Sequence, residues 1–126
     1  MESLSPNIFT HNMAETIALY QVLGFNVTMS VPESGNDLVW TMMGNGSVTV
    51  MFQTYASLAD ELPEISRNKG GSLLLYINLK NIREFFESIK DNVKVLKGLE
   101  KTFYGATEFS ILDNNNNYVL TFAEHE

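Results

Sequence analysis

The sequence feature that most constrains the fold is a pattern that occurs twice, about 66 residues apart. The matching positions are Leu19-Tyr20 and Phe85-Phe86, each followed by an Asn-Val pair at Asn26-Val27 and Asn92-Val93. Repetition at a fixed period is typical of one supersecondary unit used more than once. A chain of 126 residues has the length of one domain. We therefore predict a single domain that is built from two like modules.

Each copy has the pattern of a strand, a helix and three further strands. In the first copy, Asn12 is a typical N-cap before the helical stretch, and Gly24 is a typical stop. Asn45-Gly46, between two alternating apolar stretches, predicts a tight hairpin turn. The order βαβββ twice predicts an α+β fold over residues 1–126, with module 1 at about 5–55 and module 2 at about 72–124.

Module 2 is predicted after a boundary at Lys69-Gly70-Gly71. The continuous apolar run Leu73 to Ile77 is typical of a strand that is buried on both faces. Thr107 to Leu112 and Tyr118 to Ala123 should form the final hairpin, and its turn, Asp113 to Asn117, contains four consecutive asparagines.

Composition excludes several classes of function. The net charge of −7 and the scattered basic residues disfavour nucleic acid, because phosphate contacts need clustered Lys and Arg. The absence of cysteine excludes disulfides and thiolate metal sites. No apolar run is long enough to cross a membrane and the N-terminus does not resemble a signal peptide, so we expect a cytoplasmic protein. The acidic charge suits a neutral or cationic ligand.

Three segments carry a resemblance to a known family. Leu19 to Phe25 reads LYQVLGF, Trp40 to Gln53 forms the predicted central hairpin, and Tyr104 to Phe109 reads YGATEF ahead of Asp113 and the stretch Tyr118 to Glu124. In this order the segments resemble the vicinal oxygen chelate superfamily, which includes glyoxalase I, bleomycin-resistance proteins and extradiol dioxygenases. The resemblance implies paired βαβββ modules that form a curved mixed sheet around a cleft, with helices outside, and it implies a homodimer.

Strand alternation assigns residues to the inner face of such a sheet. The residues expected to point inward are Ser5, Asn7, Phe9, Thr49, Met51, Gln53, Ser72, Leu74, Tyr76, Tyr118, Leu120 and Phe122. A register error of one residue in any strand would exchange the two faces.

The resemblance also locates a metal site. Metal-dependent relatives hold a divalent ion with two His and two Glu side chains, and those positions fall on Ser5 and Ser72 and near Met51 and Leu120. None of these side chains is a good ligand for such an ion. We therefore predict no metal and no cofactor.

Few titratable residues remain as candidates. His11 ends the first strand and could reach the rim of the cleft, or it is a solvated surface histidine, as we expect for His125. Glu108 is the one candidate for catalysis. Inside an apolar cleft its pKa would rise, whereas at the rim it would be an ordinary solvated carboxylate.

Three functions fit these observations. The first is a protein that binds a small molecule, cationic or aromatic, without a metal; the second is a metal-dependent lyase or isomerase of the glyoxalase type, or an antibiotic-modifying transferase; the third is a dimeric scaffold with a filled cavity. We rank them in this order, because the metal-binding side chains are missing. The ligand-binding candidates are Asn7, Phe9, Trp40, Met51, Gln53, Ser72, Tyr76, Tyr104 and Leu120.

Overall fold

The computed structural model describes residues 1–68, 71–113 and 118–126. The chain divides into two compact units, Met1–Asn68 (unit 1) and Lys69–Glu126 (unit 2). The Lys69-Gly70 part of the predicted boundary and the asparagines at 114–117 of the predicted turn lie outside the described residues. No helix of the described ranges is long and apolar enough to cross a bilayer.

Unit 1 is a four-stranded sheet with one long helix. Its elements are β1 (Asn7–Thr10), α1 (Met13–Val22), β2 (Asn26–Val31), β3 (Trp40–Asn45), β4 (Val48–Thr54) and the short helix α2 (Tyr55–Leu58). The strand order is β1-β4-β3-β2, in which β1 and β4 are parallel and the other pairs are antiparallel.

Unit 2 repeats this arrangement. Its elements are β5 (Leu74–Asn78), α3 (Ile82–Ile89), a 3-10 turn (Lys90–Asn92), β6 (Lys94–Lys101), β7 (Ala106–Leu112) and β8 (Val119–His125). The strand order is β5-β8-β7-β6, so the first strand of the unit lies next to its fourth, followed by the third and the second, as in unit 1. The predicted α+β class and the duplicated βαβββ module are therefore confirmed, and each sheet is open, with two edge strands.

Helix α1 begins and ends where the sequence predicts. The Asn12 side chain accepts a hydrogen bond from the Glu15 backbone N–H at 3.0 Å, which satisfies one of the free donors of the first turn. Gly24 follows the helix with a φ of +99°, in the region that glycine tolerates best. The Thr16 hydroxyl donates to the Thr10 hydroxyl at 2.8 Å and ties α1 to β1.

Helix α3 begins differently. Asn81, at its N-cap, has a φ of 59° and caps nothing with its side chain. Instead, Glu124 on β8 accepts hydrogen bonds from the backbone N–H groups of Asn81 and Ile82, at 3.2 and 3.1 Å. A carboxylate at this end also complements the helix dipole, so Glu124 fastens the helix to the sheet.

Each long helix covers one face of the sheet in its own unit. In unit 1, Tyr20 lies on Phe52, with ring centroids 4.6 Å apart. In unit 2, Phe86 lies on Phe109 at 4.9 Å and Phe85 lies on Phe122 at 5.0 Å. Because side chains alternate along a strand, the other face of each sheet is left free for other contacts.

The expectation that β5 is buried on both faces is wrong. This strand lies at the edge of its sheet, and Leu74 and Tyr76 are 50% and 44% exposed. The run is apolar because both faces of β5 carry apolar or aromatic side chains, although the face with Leu74 and Tyr76 is exposed.

Candidate binding surfaces

The free face of the unit 1 sheet is largely apolar. Phe52 points to α1, so its neighbours Met51 and Gln53 point away from the helix. Residues directly paired across strands share a face, and the register pairs Trp40 with Gln53 and Met42 with Met51. The surface that we call the apolar face consists of Asn7, Phe9, Met29, Val31, Trp40, Met42, Met51 and Gln53. Asn7, Phe9, Met51 and Gln53 thus have the predicted orientation.

One polar pair crosses the apolar face. The Asn7 Nδ2 donates to Gln53 Oε1 at 3.0 Å, and Gln53 Nε2 donates to the Ser57 hydroxyl at 3.2 Å. The Asn7 Oδ1 is buried and accepts no hydrogen bond from the described residues. Buried acceptors are nearly always satisfied, so this oxygen marks a place for a donor.

His11 is held beside the same unit's short helix. Its ring stacks on Tyr55 at 4.3 Å between centroids, and Phe9 contacts the same tyrosine at 5.7 Å. His11 is exposed, as expected for a surface histidine.

In unit 2 the free face carries a polar cluster that centres on Glu108. The Tyr76 hydroxyl donates to Glu108 Oε2, and the Tyr104 hydroxyl donates to the same oxygen at 2.5 Å. Because the Tyr76 proton lies toward Glu108, its oxygen accepts from His125 Nε2 at 3.1 Å. We call Tyr76, Tyr104, Glu108 and His125 the Glu108 cluster. The sequence singled out the first three as candidates but not the histidine.

The cluster keeps Glu108 ionised. Burial raises the pKa of Glu108, but the hydrogen bonds from Tyr104 and Tyr76, with the charges of His125 and Lys97, outweigh it and hold the pKa below its usual range. A raised pKa, which would suit Glu108 to act as a general base, is therefore not found. The hydrogen bond to Glu108 in turn raises the pKa of both Tyr76 and Tyr104.

We expect Tyr76 and Tyr104 to ionise above the ordinary phenol pKa in an alkaline titration followed by phenolate absorbance. In the folded protein both phenol pKa values lie above the ordinary 10.0. The hydrogen bonds of the two neutral phenols to Glu108 therefore stabilise the fold fully below about pH 10, and this stabilisation is lost as the pH rises through the folded-state pKa values. The variant Glu108→Gln should bring both tyrosines back toward the ordinary value. Circular dichroism along the titration verifies that the protein stays folded, and an identical titration curve for Glu108→Gln and the unaltered protein would contradict the geometry.

A cleft of about 320 Å³ lies next to Glu108 within unit 2. The residues that line it include the apolar side chains Leu74, Leu96 and Val119 and the pair Ser110 and Thr121, whose hydroxyls are 2.8 Å apart. Glu108 also lines this cleft.

The residues at the family's metal positions do not fit a divalent ion. Ser5, Met51 and Ser72 offer at most a weak hydroxyl or thioether ligand, and Ser72 is exposed. Leu120 is 0% exposed and lies on the same side of β8 as Phe122, which contacts helix α3. The prediction that Leu120 and Phe122 point away from the helix is therefore wrong, because the predicted alternation along β8 is shifted by one residue. In the parts of the chain that the structure describes, no three His, Asp or Glu side chains come together as a metal site.

Of the other candidates, Trp40 is half-buried on the apolar face, and Tyr76 and Tyr104 belong to the Glu108 cluster. Asn7, Phe9, Met51 and Gln53 lie with Trp40, so the structure gathers seven of the nine ligand-binding candidates into one group in each unit, and Ser72 and Leu120 belong to neither group. Residues that the sequence did not single out are Met29, Met42 and Val31, which pairing in β2 and β3 brings to the apolar face.

Known structures share this fold. A glyoxalase/bleomycin resistance protein/dioxygenase family enzyme from Burkholderia phytofirmans PsJN is 20% identical, with 97% of this chain and 98% of that chain covered and a TM-score of 0.77. TioX from Micromonospora sp. ML1 is 16% identical, with coverage of 98% and 99% and a TM-score of 0.74. A bleomycin-binding protein complexed with bleomycin is 18% identical, covers 100% of both chains and has a TM-score of 0.66. At these identities the likeness shows the fold alone.

No functionally curated protein sequence matches this chain significantly. The sequence model of one family does match, over residues 4–120, and so spans both βαβββ units. The chain belongs to the glyoxalase/bleomycin resistance protein/dioxygenase superfamily.

Proposed function

We propose that this protein binds a small aromatic or apolar molecule that carries a hydrogen-bond donor, and that it does so without a metal. The observation that carries the proposal is the apolar face of unit 1, where the buried Asn7 Oδ1 accepts no hydrogen bond from the described residues. A ligand donor would satisfy that oxygen while the ligand's body covers apolar side chains.

The composition of the apolar face suits a planar or irregular ligand. Methionine side chains are flexible and polarizable, and they adapt to ligands of varied shape. Trp40 and Phe9 add large rigid surfaces for stacking. Met29 and Val31 are 59% and 52% exposed, so the face extends to the edge strand β2.

The expected affinity is modest. Covering roughly 200 Å² of apolar surface on the protein and ligand contributes about 5 kcal/mol at about 25 cal/mol per Å². The loss of translational and rotational freedom on association offsets part of this gain. A hydrogen bond to Asn7 adds about 1 kcal/mol. We therefore expect dissociation constants between about 0.1 mM and 1 mM for simple probes.

A protein of the same fold supports the proposal of ligand binding. One structural neighbour is described as a bleomycin-binding protein complexed with bleomycin. No specific observation favours the metal-dependent lyase, isomerase or transferase, because the side chains at Ser5, Met51, Ser72 and Leu120 do not form a metal site. A homodimer remains part of the proposal, and analytical ultracentrifugation tests it.

Trp40 is the single tryptophan of the chain, so its fluorescence reports directly on the apolar face. With a panel of naphthyl-, indolyl- and benzyl-substituted amines and alcohols, we expect binders to shift its emission and to raise the melting temperature with concentration. Met51→Gln should weaken binding by about fivefold, because it removes apolar contact and leaves the tryptophan in place. The matched control is Val48→Gln, which lies on β4 but on the opposite face.

Two results would contradict the proposal. If no panel member changes either the emission or the melting temperature at millimolar concentration, the apolar face is not a binding surface. If protein purified without chelator carries about one divalent ion per chain, the metal-free part of the proposal is wrong.

A further inference from the structure

The Glu108 cluster belongs to unit 2 and is built from residues other than those of the apolar face. We propose that Glu108 anchors a subsite for a small organic cation, a primary or quaternary ammonium group carried on an apolar chain. This inference rests on the proposed small-molecule binding and adds a second class of ligand, an organic cation, which unit 2 would bind by itself.

The two oxygens of Glu108 have different surroundings. Both phenol hydroxyls donate to Oε2, whereas no described residue donates to Oε1. Glu108 also lines the adjoining cleft. The carboxylate is thus fixed through one oxygen and retains a second oxygen for a ligand.

The donors that fix Glu108 are neutral. A lysine or arginine in their place would cancel the carboxylate charge, but a phenol hydroxyl orients the carboxylate and leaves its charge in place. The same hydrogen bonds lower the pKa of Glu108, so the site stays anionic at neutral pH. Two tyrosines that hold a carboxylate in this way prepare it for an incoming cation.

The nearby charged side chains leave that negative charge available. Lys97 Nζ lies 2.7 Å from Glu100 Oε1, so these two groups largely neutralise each other. His125 reaches the cluster through the Tyr76 oxygen and makes no direct hydrogen bond to Glu108. Glu108 is the carboxylate of the cluster, and the net charge of −7 favours the approach of cations.

The cleft specifies what the cation is attached to. Leu74, Leu96 and Val119 provide apolar wall, which suits an alkyl chain. Ser110 lies two residues from Glu108 on the same face of β7, or about 7 Å along the strand. The hydroxyl pair of Ser110 and Thr121 can therefore bond a polar group about that distance from the cation.

The site suits an ammonium group better than a divalent metal. A metal such as Ca²⁺ or Mg²⁺ needs several oxygen ligands in a close shell. Glu108 offers one unshared oxygen, and no group of three candidate ligands exists within the described ranges. A single carboxylate with aromatic rings beside it matches an organic cation, which also interacts with ring faces.

The test compares hexylammonium with hexan-1-ol, two probes that differ chiefly in charge, by NMR titration of the full chain. We expect hexylammonium to bind more tightly and to shift amide signals of β7 and β5. Glu108→Gln should weaken hexylammonium binding by about fivefold and leave hexan-1-ol binding unchanged, because only the ion pair is lost. Glu84→Gln is the matched control, since it removes the same charge from an exposed position on α3.

A second variant tests the role of the neighbouring cation. Lys97→Gln should strengthen hexylammonium binding, because it removes a positive charge that acts on Glu108 and leaves Glu100 without its ion-pair partner. Equal affinity for both probes, or an unchanged affinity in Glu108→Gln, would overturn the inference. If hexylammonium fails while aromatic probes still shift the Trp40 emission, the cation subsite is wrong and the proposed function stands; if both fail, the proposed function is wrong as well.

Discussion

Replacing Phe109 with Ala is expected to lower the free energy of unfolding by about 3 to 5 kcal/mol, the usual range for a buried phenylalanine. Phe109 is 1% exposed and lies in the middle strand pair of unit 2. Its ring lies 4.9 Å from Phe86, 6.0 Å from Phe85 and 5.0 Å from Phe122, measured between centroids. Truncation would leave a cavity among three rings that cannot all move to fill it.

Urea unfolding, followed by circular dichroism, measures this loss. The matched control is Phe103→Ala, which makes the same chemical change at a side chain that is 100% exposed, and it should alter stability by less than about 0.5 kcal/mol. Domains of this size are stable by about 5 to 15 kcal/mol, so Phe109→Ala could unfold entirely. Phe109→Leu, expected to cost about 1 to 1.5 kcal/mol, then provides a folded variant. Equal effects at Phe103 and Phe109 would contradict the described core.

Local signals in the sequence predicted much of the fold. Asn12 and Gly24 bound helix α1 because a cap side chain and a residue that tolerates positive φ act on their own neighbours. Asn45 ends β3 and pairs with Val48 of β4, and Gly46, the first residue of the two-residue turn between them, has a φ of 59°. The faces of β4 were predictable as well, because polar Thr49 and Gln53 alternate there with Val50 and Phe52.

The face assignment failed on β8 for a physical reason. Leu120 to Ala123 are all buried, so neither apolar character nor burial alternates along the strand. Without alternation the sequence does not distinguish the helix-facing side, and the assignment slipped by one residue. The exposed face of β5 was missed for the converse reason, since Leu74 and Tyr76 are apolar or aromatic although exposed.

The candidate site was predicted in pieces. Tyr104 and Glu108 lie in one short segment, and their contact follows from local spacing. The contact of Tyr76 with Glu108 joins residues 32 apart, and that with His125 joins residues 49 apart. These contacts depend on strand order, because β5 and β7 both flank β8. Tyr76 pairs with Thr121 of β8, and His125 lies four residues after Thr121 on the same face of that strand. The strand order therefore explains why His125 reaches Tyr76.

Replacing Glu124 with Ala is expected to destabilise the protein by about 1 to 2 kcal/mol, the range for loss of a helix N-cap. Its two oxygens accept from the first N–H groups of helix α3, at 3.1 and 3.2 Å, and the Asn81 side chain makes no bond that could replace them. Removal would leave two donors of the first turn without this partner and would loosen the attachment of α3 to β8. Urea unfolding measures the loss.

Two further variants separate the hydrogen bonds from the charge. Glu84→Ala removes a carboxylate from the same first turn of α3, where it can act only through the helix dipole, so it should cost less than about 0.5 kcal/mol. Glu124→Gln keeps one of the two oxygen acceptors, and the bond that remains is neutral and about half as strong as a charge-assisted one. It should therefore lose about three quarters as much as Glu124→Ala. If Glu84→Ala and Glu124→Ala have equal effects, the dipole accounts for the loss and the described cap does not. A larger loss at Glu124 means that a residue of the final strand holds the helix in place, which no local capping pattern in the sequence reveals.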